Sequence, residues 1–223
     1  MTKRYSRAWP KPVGTNRKNI HFRALPTASL PTLVLSFKLM PQTQIVNPEQ
    51  KTPYESPWTA ENRFLRVLWE FCWFLFCSWT PKPLNEWRLF WLRVFDAKIE
   101  GTPFVHQRAR IAIPWNLTLR DRACLGDRAN AYSLGEIEIG AGATVAQEAY
   151  LSSASHNFDD PAMPLTVAKI TIGEDAFVGA RAFVLPGVRI GARAVVGACS
   201  VVTKDVPDNV IAAGNPCRVL RPR

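Results

Sequence analysis

A strict six-residue period between Ile172 and Val202 is the feature that most constrains the fold of this chain. A branched apolar residue begins each repeat, and in four repeats the residue four positions later is small. The apolar residues are Ile172, Val178, Val184, Ile190, Val196 and Val202, and the small ones are Ala176, Ala182, Ala194 and Ser200. An α-helix repeats every ~3.6 residues and a β-strand every ~2, so neither produces this period. Stacked short strands joined by tight turns do produce it, and they predict a solenoid.

The same period extends upstream with interruptions. It is carried there by Ile99, Val105, Ile113, Leu119, Leu125, Ile139, Val145 and Leu151. A two-residue slip is expected between Val105 and Ile113, a second slip near 132–136, and a longer interruption after Leu151. With three hexapeptides to a triangular turn, residues 99–207 predict about five turns. Aliphatic columns inside the prism would then provide the main stabilising contribution.

Most of the net charge of +10 lies in the N-terminal arm. Residues 1–57 contain nine Lys or Arg against two Glu, which is +7 of the total. The arm is rich in proline, which disfavours long helices and strands, so we predict that it is mostly disordered. It is either a start-site extension without function or a segment attracted to anionic lipid. Because the repeats contain no basic groove interleaved with aromatic residues, we predict no nucleic-acid binding.

The cysteines and the N-terminus indicate a cytoplasmic protein. The five cysteines are scattered, odd in number and without a C-x-x-C pair, so they predict neither a disulfide framework nor a zinc site. Reduced thiols are typical of the cytoplasm. The apolar run from Leu30 to Met40 is broken by Pro31, Ser36 and Lys38, and therefore does not predict a signal peptide.

Residues 58–97 are expected to form two apolar helices rich in tryptophan. The first covers about 59–79, where Thr59 can act as the N-cap. Arg66 and Glu70 within it are spaced for an i,i+4 ion pair. The second helix is expected from Leu84 to Phe95.

These helices allow two interpretations. The apolar stretch from Phe64 to Trp79 is shorter than the ~20 residues that cross a membrane, and it contains charged residues. The helices either pack on the end of the prism or on a neighbouring subunit, or they lie in the membrane interface, where tryptophan is common. The second alternative predicts peripheral membrane contact through residues 58–95, at the inner face of the membrane.

The interruption after Leu151 contains a candidate catalytic group. An inserted loop near 152–169 includes His156, one of three histidines in the chain. A loop that leaves the prism can form a wall over a surface groove without disturbing the stack. Histidine suits a general base because its unperturbed pKa is about 6.5. His156 is therefore a general base or a solvated loop residue, whereas His106, beside Val105, is interpreted as a surface histidine.

The chain resembles the hexapeptide-repeat acetyltransferases and, among them, the colanic acid biosynthesis acetyltransferase family. The resemblance covers roughly residues 54–221. It is carried by the stretches RFLRVLWEFCWFLF, LRVFDAKIEGTPFVHQRARIAIPWNLTLRDRACLGDRA, YLSSASHNFDDPAMPL and VVTKDVPDNVIAAGNPCRV. It implies that residues 98–223 form a left-handed parallel β-helix of about five turns, preceded by the helix pair. It also implies a homotrimer with a groove between adjacent prisms, and acetyl-CoA as the acetyl donor without a metal.

The resemblance further implies roles for individual residues. His156 would deprotonate a sugar hydroxyl that attacks the thioester directly, and a backbone N–H near Gly179 and Ala180 would stabilise the oxyanion. Asn157 follows the histidine where the family often has Asp, which leaves open whether Asp159 or Asp160 orients the imidazole. Expected CoA contacts are Ala198, Thr203, Lys204, Arg218 and Arg221, and expected acceptor contacts are Asn130, Tyr132 and Asp159.

Together these features predict an O-acetyltransferase that uses acetyl-CoA to modify a sugar hydroxyl of an exopolysaccharide or its precursor. Two alternatives remain open. One is an acetyltransferase for a small soluble acceptor, such as a free sugar, serine or an antibiotic. The other is a non-catalytic β-helix that serves as a binding module. A zinc carbonic anhydrase would need three histidine ligands, and only His106 and His156 lie in the repeats.

Overall fold

The computed structural model of the protein describes residues 58–223. Two helices, α1 (Ala60–Phe76) and α2 (Asn85–Val94), precede a solenoid of short strands. Both helices are slightly shorter than the sequence predicts. α1 ends in a turn where the N–H groups of Cys77 and Ser78 both donate to the carbonyl of Trp73 at 2.9 Å, and a short 3-10 helix at Lys82–Leu84 precedes α2. The prediction of a disordered arm concerns residues 1–57 and lies outside the described residues.

Three sheets form the faces of the solenoid, here called A, B and C in the order in which the chain reaches them. Face A consists of β1 (Lys98–Ile99), β4 (Leu117–Leu119), β7 (Ile137–Ile139), β12 (Ile170–Ile172) and β15 (Arg189–Ile190). Face B consists of β2 (Phe104–Val105), β5 (Cys124–Leu125), β8 (Thr144–Val145), β13 (Phe177–Val178), β16 (Val195–Val196), β18 (Val210–Ala213) and β19 (Arg218–Pro222). Face C consists of β3 (Arg110–Ile111), β6 (Asn130–Tyr132), β9 (Tyr150–Ser152), β14 (Phe183–Val184) and β17 (Val201–Val202). A separate antiparallel hairpin consists of β10 (Ala154–His156) and β11 (Leu165–Val167).

The strands of each face pair in parallel with the strands one turn away, except that β19 pairs antiparallel with β18. In β13, for example, Val178 is in register with Val145 of the preceding turn and Val196 of the following one. Five turns are complete, and a sixth begins with a bridge between Ile190 and Val206 and continues in β18. The result is a parallel β-solenoid of about six turns, consistent with a left-handed β-helix. The sequence predicts about five because residues after Val202 leave the hexapeptide pattern and still add a strand to face B.

The six-residue period marks the residues that fill the core. All the branched apolar residues of the period from Ile172 to Val202 are buried, and so are the small residues at the corners. Glycine at the start of a corner allows successive turns to approach closely. A Cβ atom on Gly179 would lie 2.6 Å from the backbone nitrogen of Ala198 in the next turn. At roughly 25 cal/mol per Å² of apolar area removed from water, these columns stabilise the fold substantially.

The first slip of the period lies later than predicted. Ile111, and not Ile113, takes the inward position of β3, because a 3-10 helix at Pro114–Asn116 occupies the widened corner that follows. Ile113 is buried instead in a small cluster with Leu134 and Ala154. Widened corners between faces C and A therefore produce a second, minor core beside the prism.

The helices cover the N-terminal end of the solenoid. Trp69 of α1 and Leu89 of α2 belong to the same buried cluster as Val105 of β2. The indole Nε1 of Trp69 donates a hydrogen bond of 2.7 Å to the carbonyl of Ile111. The buried guanidinium of Arg88 donates to the carbonyl of Val105 at 2.8 Å. These contacts fix both helices to the first turn.

The capping prediction for α1 is confirmed, but the predicted ion pair is wrong. The Thr59 hydroxyl accepts a hydrogen bond of 3.2 Å from the N–H of Asn62. Among the described residues, Arg66 makes no ion pair with Glu70. Its guanidinium lies 4.6 Å from the ring centroid of Trp58, an arrangement that gives a cation–π attraction.

The prediction that His106 is a surface histidine is also wrong. Its side chain lies at the end of the prism that the helices cover, and the residue is only 7% exposed. Its Nδ1 lies 3.2 Å from an oxygen of Asp127 and accepts the backbone N–H of Arg108 at 3.3 Å. Burial lowers the pKa of His106, and the neighbouring Asp127 only partly opposes this effect. A six-residue period cannot show that helices from another segment cover this corner.

Candidate active site

The β10–β11 hairpin projects from the corner between faces C and A in the third turn. Ser155 pairs with Thr166, and His156 pairs with Leu165. The stack continues across the insertion, because β9 pairs with β14 and β7 pairs with β12. The hairpin can therefore extend from the prism without interrupting the core.

The minor core beside the prism supports the base of this hairpin. Leu165 of β11 packs against the cluster that contains Ala154 of β10. The buried hydroxyl of Ser153 accepts the N–H of Gly135 at 2.8 Å and lies 2.8 Å from the carbonyl of Tyr132, to which it can donate. The hydroxyl thus provides an acceptor for the N–H of Gly135, and it adds a second donor to the Tyr132 carbonyl, which also accepts the N–H of Ser153 at 3.2 Å.

The hydrogen bond of His156 determines which ring nitrogen carries the proton. The side chain is exposed at the end of β10, and its Nδ1 lies 2.7 Å from the carbonyl oxygen of Met163. A carbonyl can only accept, so the neutral imidazole carries its proton on Nδ1. Nε2 then has a free lone pair that can accept a proton. The geometry therefore suits a general base.

No carboxylate of the hairpin loop contacts the imidazole. An oxygen of Asp160 accepts the N–H of Ala162 at 2.8 Å. The N–H of Asp159 donates to the side-chain oxygen of Asn157 at 3.1 Å, which shapes the loop tip. The partner of the ring within the described residues is the Met163 carbonyl. The sequence did not indicate it, because any residue type can supply a backbone carbonyl.

The two candidate oxyanion donors differ in availability. Gly179 and Ala180 form the corner between faces B and C that follows β13. The N–H of Gly179 donates to the carbonyl of Val196 at 2.8 Å and is occupied. The N–H of Ala180 has no acceptor within the part of the chain that the structure describes. Ala180 is half-buried, and of the two N–H groups only its own is available to a further acceptor.

Ala198 lies next to Ala180 on the same edge of the prism. The carbonyl of Ala180 accepts the N–H of Cys199 at 2.9 Å, which stacks one corner on the next. The side chains along this edge are small, so a long flexible ligand could approach the backbone closely. Ala198, an expected CoA contact, therefore lies beside the N–H of Ala180.

A cavity at the C-terminal end brings two predicted CoA contacts together. Its volume is about 330 Å³, and it is lined by Lys204, Asp205, Val206, Ala212, Cys217, Arg218 and Val219. Neither Lys204 nor Arg218 forms an ion pair within residues 58–223. Thr203 adjoins the cavity, whereas Arg221 lies further along β19, opposite Ile211. Two unpaired cations around an open cavity fit phosphate groups.

Two of the predicted acceptor contacts lie on face C, whereas Asp159 lies in the loop of the hairpin. Asn130 and Tyr132 belong to β6, and Asn130 is in register with Tyr150 of β9. The ring of Tyr150 stacks on Phe183 with 4.9 Å between centroids, and it lies 5.9 Å from the ring of Tyr132. Burial raises the pKa of Tyr150. The sequence missed this aromatic cluster because only the stacking of turns places Tyr150 opposite Phe183 and brings Tyr132 near both.

The predicted site residues occupy two edges of one prism. His156 and Lys204 lie at corners between faces C and A, in the third and fifth turns. Ala180 and Ala198 lie at corners between faces B and C. Face C, with Tyr132, separates the two edges. Between residues 58 and 223, no three His, Cys, Asp or Glu side chains are placed to hold a metal ion.

Comparison with known sequences identifies the family. The family model for bacterial transferase hexapeptide (six repeats) matches residues 169–204. Over 146 residues the chain is 43% identical to WcaF of Escherichia coli (strain K12), named as a colanic acid biosynthesis acetyltransferase, and this alignment covers 66% of the chain and 80% of the relative. Over 52 residues it is 56% identical to the galactoside O-acetyltransferase of the same strain, covering 23% of the chain and 26% of that protein.

Solved structures share the fold. The chain matches a maltose O-acetyltransferase from Clostridium difficile 630 with a TM-score of 0.64 and 27% identity, covering 74% of this chain and 89% of the other. It matches the hexapeptide-repeat acetyltransferase VCA0836 from Vibrio cholerae, solved with acetyl-CoA, with a TM-score of 0.67 and 24% identity, covering 74% and 90%. On its repeats, its solenoid and its identity with WcaF, the chain belongs to the hexapeptide-repeat acetyltransferases, a family of enzymes.

Proposed function

We propose that this protein transfers an acetyl group from acetyl-CoA to a sugar hydroxyl of an exopolysaccharide or its precursor. The observation that carries the proposal is the hydrogen bond between Nδ1 of His156 and the carbonyl of Met163. It leaves Nε2 unprotonated on an exposed hairpin of an acetyltransferase fold. A non-catalytic binding module has no need of a histidine held in this tautomer.

Two groups of the chain carry the reaction. Acetyl-CoA supplies the acetyl group as an activated thioester. Nε2 of His156 takes up the proton of the acceptor hydroxyl while the oxygen attacks, and it returns that proton to the departing sulfur. The N–H of Ala180 donates to the carbonyl oxygen of the acetyl group as negative charge develops there. Because the hydroxyl attacks directly, no side chain of the enzyme is acylated.

The C-terminal turns bind the donor. Lys204 and Arg218 hold its phosphates, with Thr203 and Arg221 beside them. The small residues Ala180 and Ala198 leave space for the pantetheine arm, as does Gly179 by its lack of a side chain.

A homotrimer completes the site. His156 and the Ala180 N–H lie on different edges of one prism, so the geometry favours a groove between two protomers. One protomer would contribute the hairpin and its neighbour the small-residue edge. This arrangement also places face C, with Asn130 and Tyr132, beside the groove, where these residues and Asp159 of the hairpin contact the acceptor.

The names of the relatives support a carbohydrate acceptor. WcaF is named for colanic acid biosynthesis, and other relatives for galactoside and maltose. The five free cysteines agree with reaction in the reducing cytoplasm.

A second candidate function is acetylation of a free sugar. The names of the galactoside and maltose relatives support this candidate.

The decisive experiment compares acceptors for the purified full chain. Free CoA thiol is measured with acetyl-CoA and either free mono- and disaccharides or the oligosaccharide repeat of an exopolysaccharide. Mass spectrometry of the acceptor then shows whether it has gained one acetyl group on oxygen. Faster transfer to the oligosaccharide supports the proposal, and faster transfer to free sugars supports the second candidate. Absence of acetyl transfer to every sugar contradicts both.

A further inference from the structure

Helix α1 has two apolar faces, and only one of them is covered. Leu65 and Trp69 pack inward against the first turn of the solenoid. A second set follows the i, i+3, i+4, i+7 spacing on the side that points away from the prism, and its members are 38–72% exposed. This set consists of Phe64, Val67, Leu68, Phe71, Phe74 and Leu75. The solvent-facing side of a surface helix is ordinarily polar, so this side requires a partner.

The exposed set continues beyond α1. Trp79 in the connection donates its indole N–H to the carbonyl of Leu75 at 2.6 Å, and Trp87 of α2 donates to that of Phe76 at 2.9 Å. Both tryptophans are therefore held beside the end of α1. The outer apolar face is defined here as the set of α1 together with Trp79, Leu84, Trp87, Phe90 and Val94. It contains eleven of the seventeen large hydrophobic residues that are exposed among the described residues.

The positive charge of the chain is concentrated in its N-terminal part, which also contains the outer apolar face. Residues 1–98 contain fifteen Lys or Arg and six acidic residues, which gives +9 of the net +10. Residues 99–223 contain thirteen and twelve, which gives +1. Seven of these nine charges lie in residues 1–57, and the helix pair at residues 58–98 contributes +2. A second copy would bring the same positive charge, whereas anionic lipid carries the opposite charge.

The composition and length of the helices agree with a bilayer surface. Tryptophan is enriched at membrane–water interfaces, and Trp79 and Trp87 are both exposed on this face. No helix within residues 58–223 is long and apolar enough to cross a bilayer. We infer that the outer apolar face docks on an anionic membrane surface, with both helices lying in the interface and the basic arm adding electrostatic attraction. This inference is independent of acetyl transfer itself.

Vesicle binding tests the inference on the full chain. The protein is sedimented with vesicles of phosphatidylcholine alone, or of phosphatidylcholine and phosphatidylglycerol in equal parts. We expect it to sediment mainly with the anionic vesicles. Binding should weaken when salt rises from about 0.1 M to about 1 M, where the Debye length falls from about 10 Å to about 3 Å. Brominated lipids should also quench the tryptophan fluorescence of the wild-type protein on anionic vesicles.

The double variant Phe71→Glu/Phe74→Glu should bind anionic vesicles at least about tenfold more weakly, because two charges enter the apolar face. Phe158→Glu is the matched control: Phe158 is 76% exposed and Phe74 is 72% exposed, but Phe158 lies on the hairpin. The control should bind like the wild type. Acetyl transfer to a soluble acceptor, measured without lipid, should persist in the double variant.

Three outcomes overturn the inference. The wild-type protein could remain in the supernatant with both kinds of vesicle, without tryptophan quenching. The double variant and the wild type could sediment alike. Finally, the double variant could form a smaller assembly in light scattering while the wild type ignores vesicles, which would make the outer apolar face a contact between copies.

Discussion

Nδ1 of His156 and the carbonyl oxygen of Met163 lie 2.7 Å apart across the turn of the β10–β11 hairpin. Met163 has a φ of +43°, in the left-handed region that residues with side chains rarely adopt. The backbone therefore adopts an uncommon conformation at the residue whose carbonyl holds the imidazole. This relationship connects a local feature of the loop with the tautomer of the proposed base.

Replacing His156 by Ala should lower the rate of acetyl transfer at least about a hundredfold, because a general base contributes roughly 10²–10⁴-fold. The dissociation constant of CoA should be unchanged, since the donor cavity lies elsewhere. Thr166→Ala, in the neighbouring strand of the hairpin, is the control and should retain activity. Steady-state kinetics and calorimetry check both parts, and a wild-type rate in His156→Ala would remove the residue from the mechanism.

Replacing Ala180 by Pro should remove one backbone donor while preserving the corner. Ala180 precedes Arg181, whose φ is +58°, in a turn closed by a hydrogen bond of 3.1 Å from the N–H of Ala182 to the carbonyl of Gly179. Proline suits the position before such a residue. The loss of the N–H should lower kcat roughly 10²–10³-fold, the effect of removing one oxyanion donor.

The control for this substitution is Ala141→Pro, in a similar corner between faces A and B. There Gly142 has a φ of +65°, and Ala143 donates to Gly140 at 3.1 Å. The structure already contains proline in such a corner at Pro186, before Gly187 with a φ of +79°. Equal kcat values for Ala180→Pro, Ala141→Pro and the wild type would exclude the N–H as an oxyanion donor.

Lys204→Ala and Arg218→Ala should each raise the dissociation constant of CoA about tenfold, because each removes a charge-assisted bond to phosphate. Asp205 lines the same cavity, and Asp205→Asn should leave binding unchanged or tighten it, since a negative charge is removed. Arg110→Ala, an exposed residue of the first turn, is the control. Unchanged CoA affinity in both cation variants would reject this binding site.

Arg88→Met should lower the free energy of unfolding by roughly 3 kcal/mol, because buried acceptors then lose their donor. The guanidinium is buried and donates to the hydroxyl of Thr80 at 2.9 Å and to the carbonyls of Val105, Pro81 and Lys82. The exposed Arg93→Met is the control, with an expected change below about 0.5 kcal/mol. Denaturant titration measures both, and equal stability of the two variants would show that Arg88 does not fix the helices to the prism.

His106 should make stability depend on pH in the mildly acidic range. The pKa of His106 in the folded protein is lowered from 6.5, so the unfolded chain binds the proton more readily. The free energy of unfolding should therefore fall as pH decreases from about 7 towards the folded pKa. His106→Gln should reduce this dependence, whereas His156→Gln, at an exposed position, is the control. Identical pH profiles of unfolding for the wild type and His106→Gln would contradict the prediction.

The core and the hairpin were predictable from the sequence for the same physical reason. The six-residue period indicates which residues face inward, and the burial of those residues stabilises the solenoid. An interruption such as that after Leu151 must leave the stack, so it predicts a projecting segment with His156. The placement of Ile111 was missed because the period alone does not distinguish a slip before Ile113 from one after Ile111.

Other features depend on contacts between distant segments and could not be predicted. His106 is buried because helices from an earlier segment cover its corner. The N–H of Gly179 is occupied because Val196, seventeen residues later, stacks on it. The Met163 carbonyl meets His156 only through the register of the hairpin. In each case the residue types are compatible with several environments, and contact with another segment of the chain selects one.

The last strand determines where the solenoid stops. Parallel turns leave an open row of backbone donors and acceptors at each end, and such a row could recruit another chain. β19 reverses direction and pairs antiparallel with β18, while the helices cover the opposite end. β19 thus occupies the edge of β18 that a further parallel turn would need, so face B cannot be extended in the same parallel register.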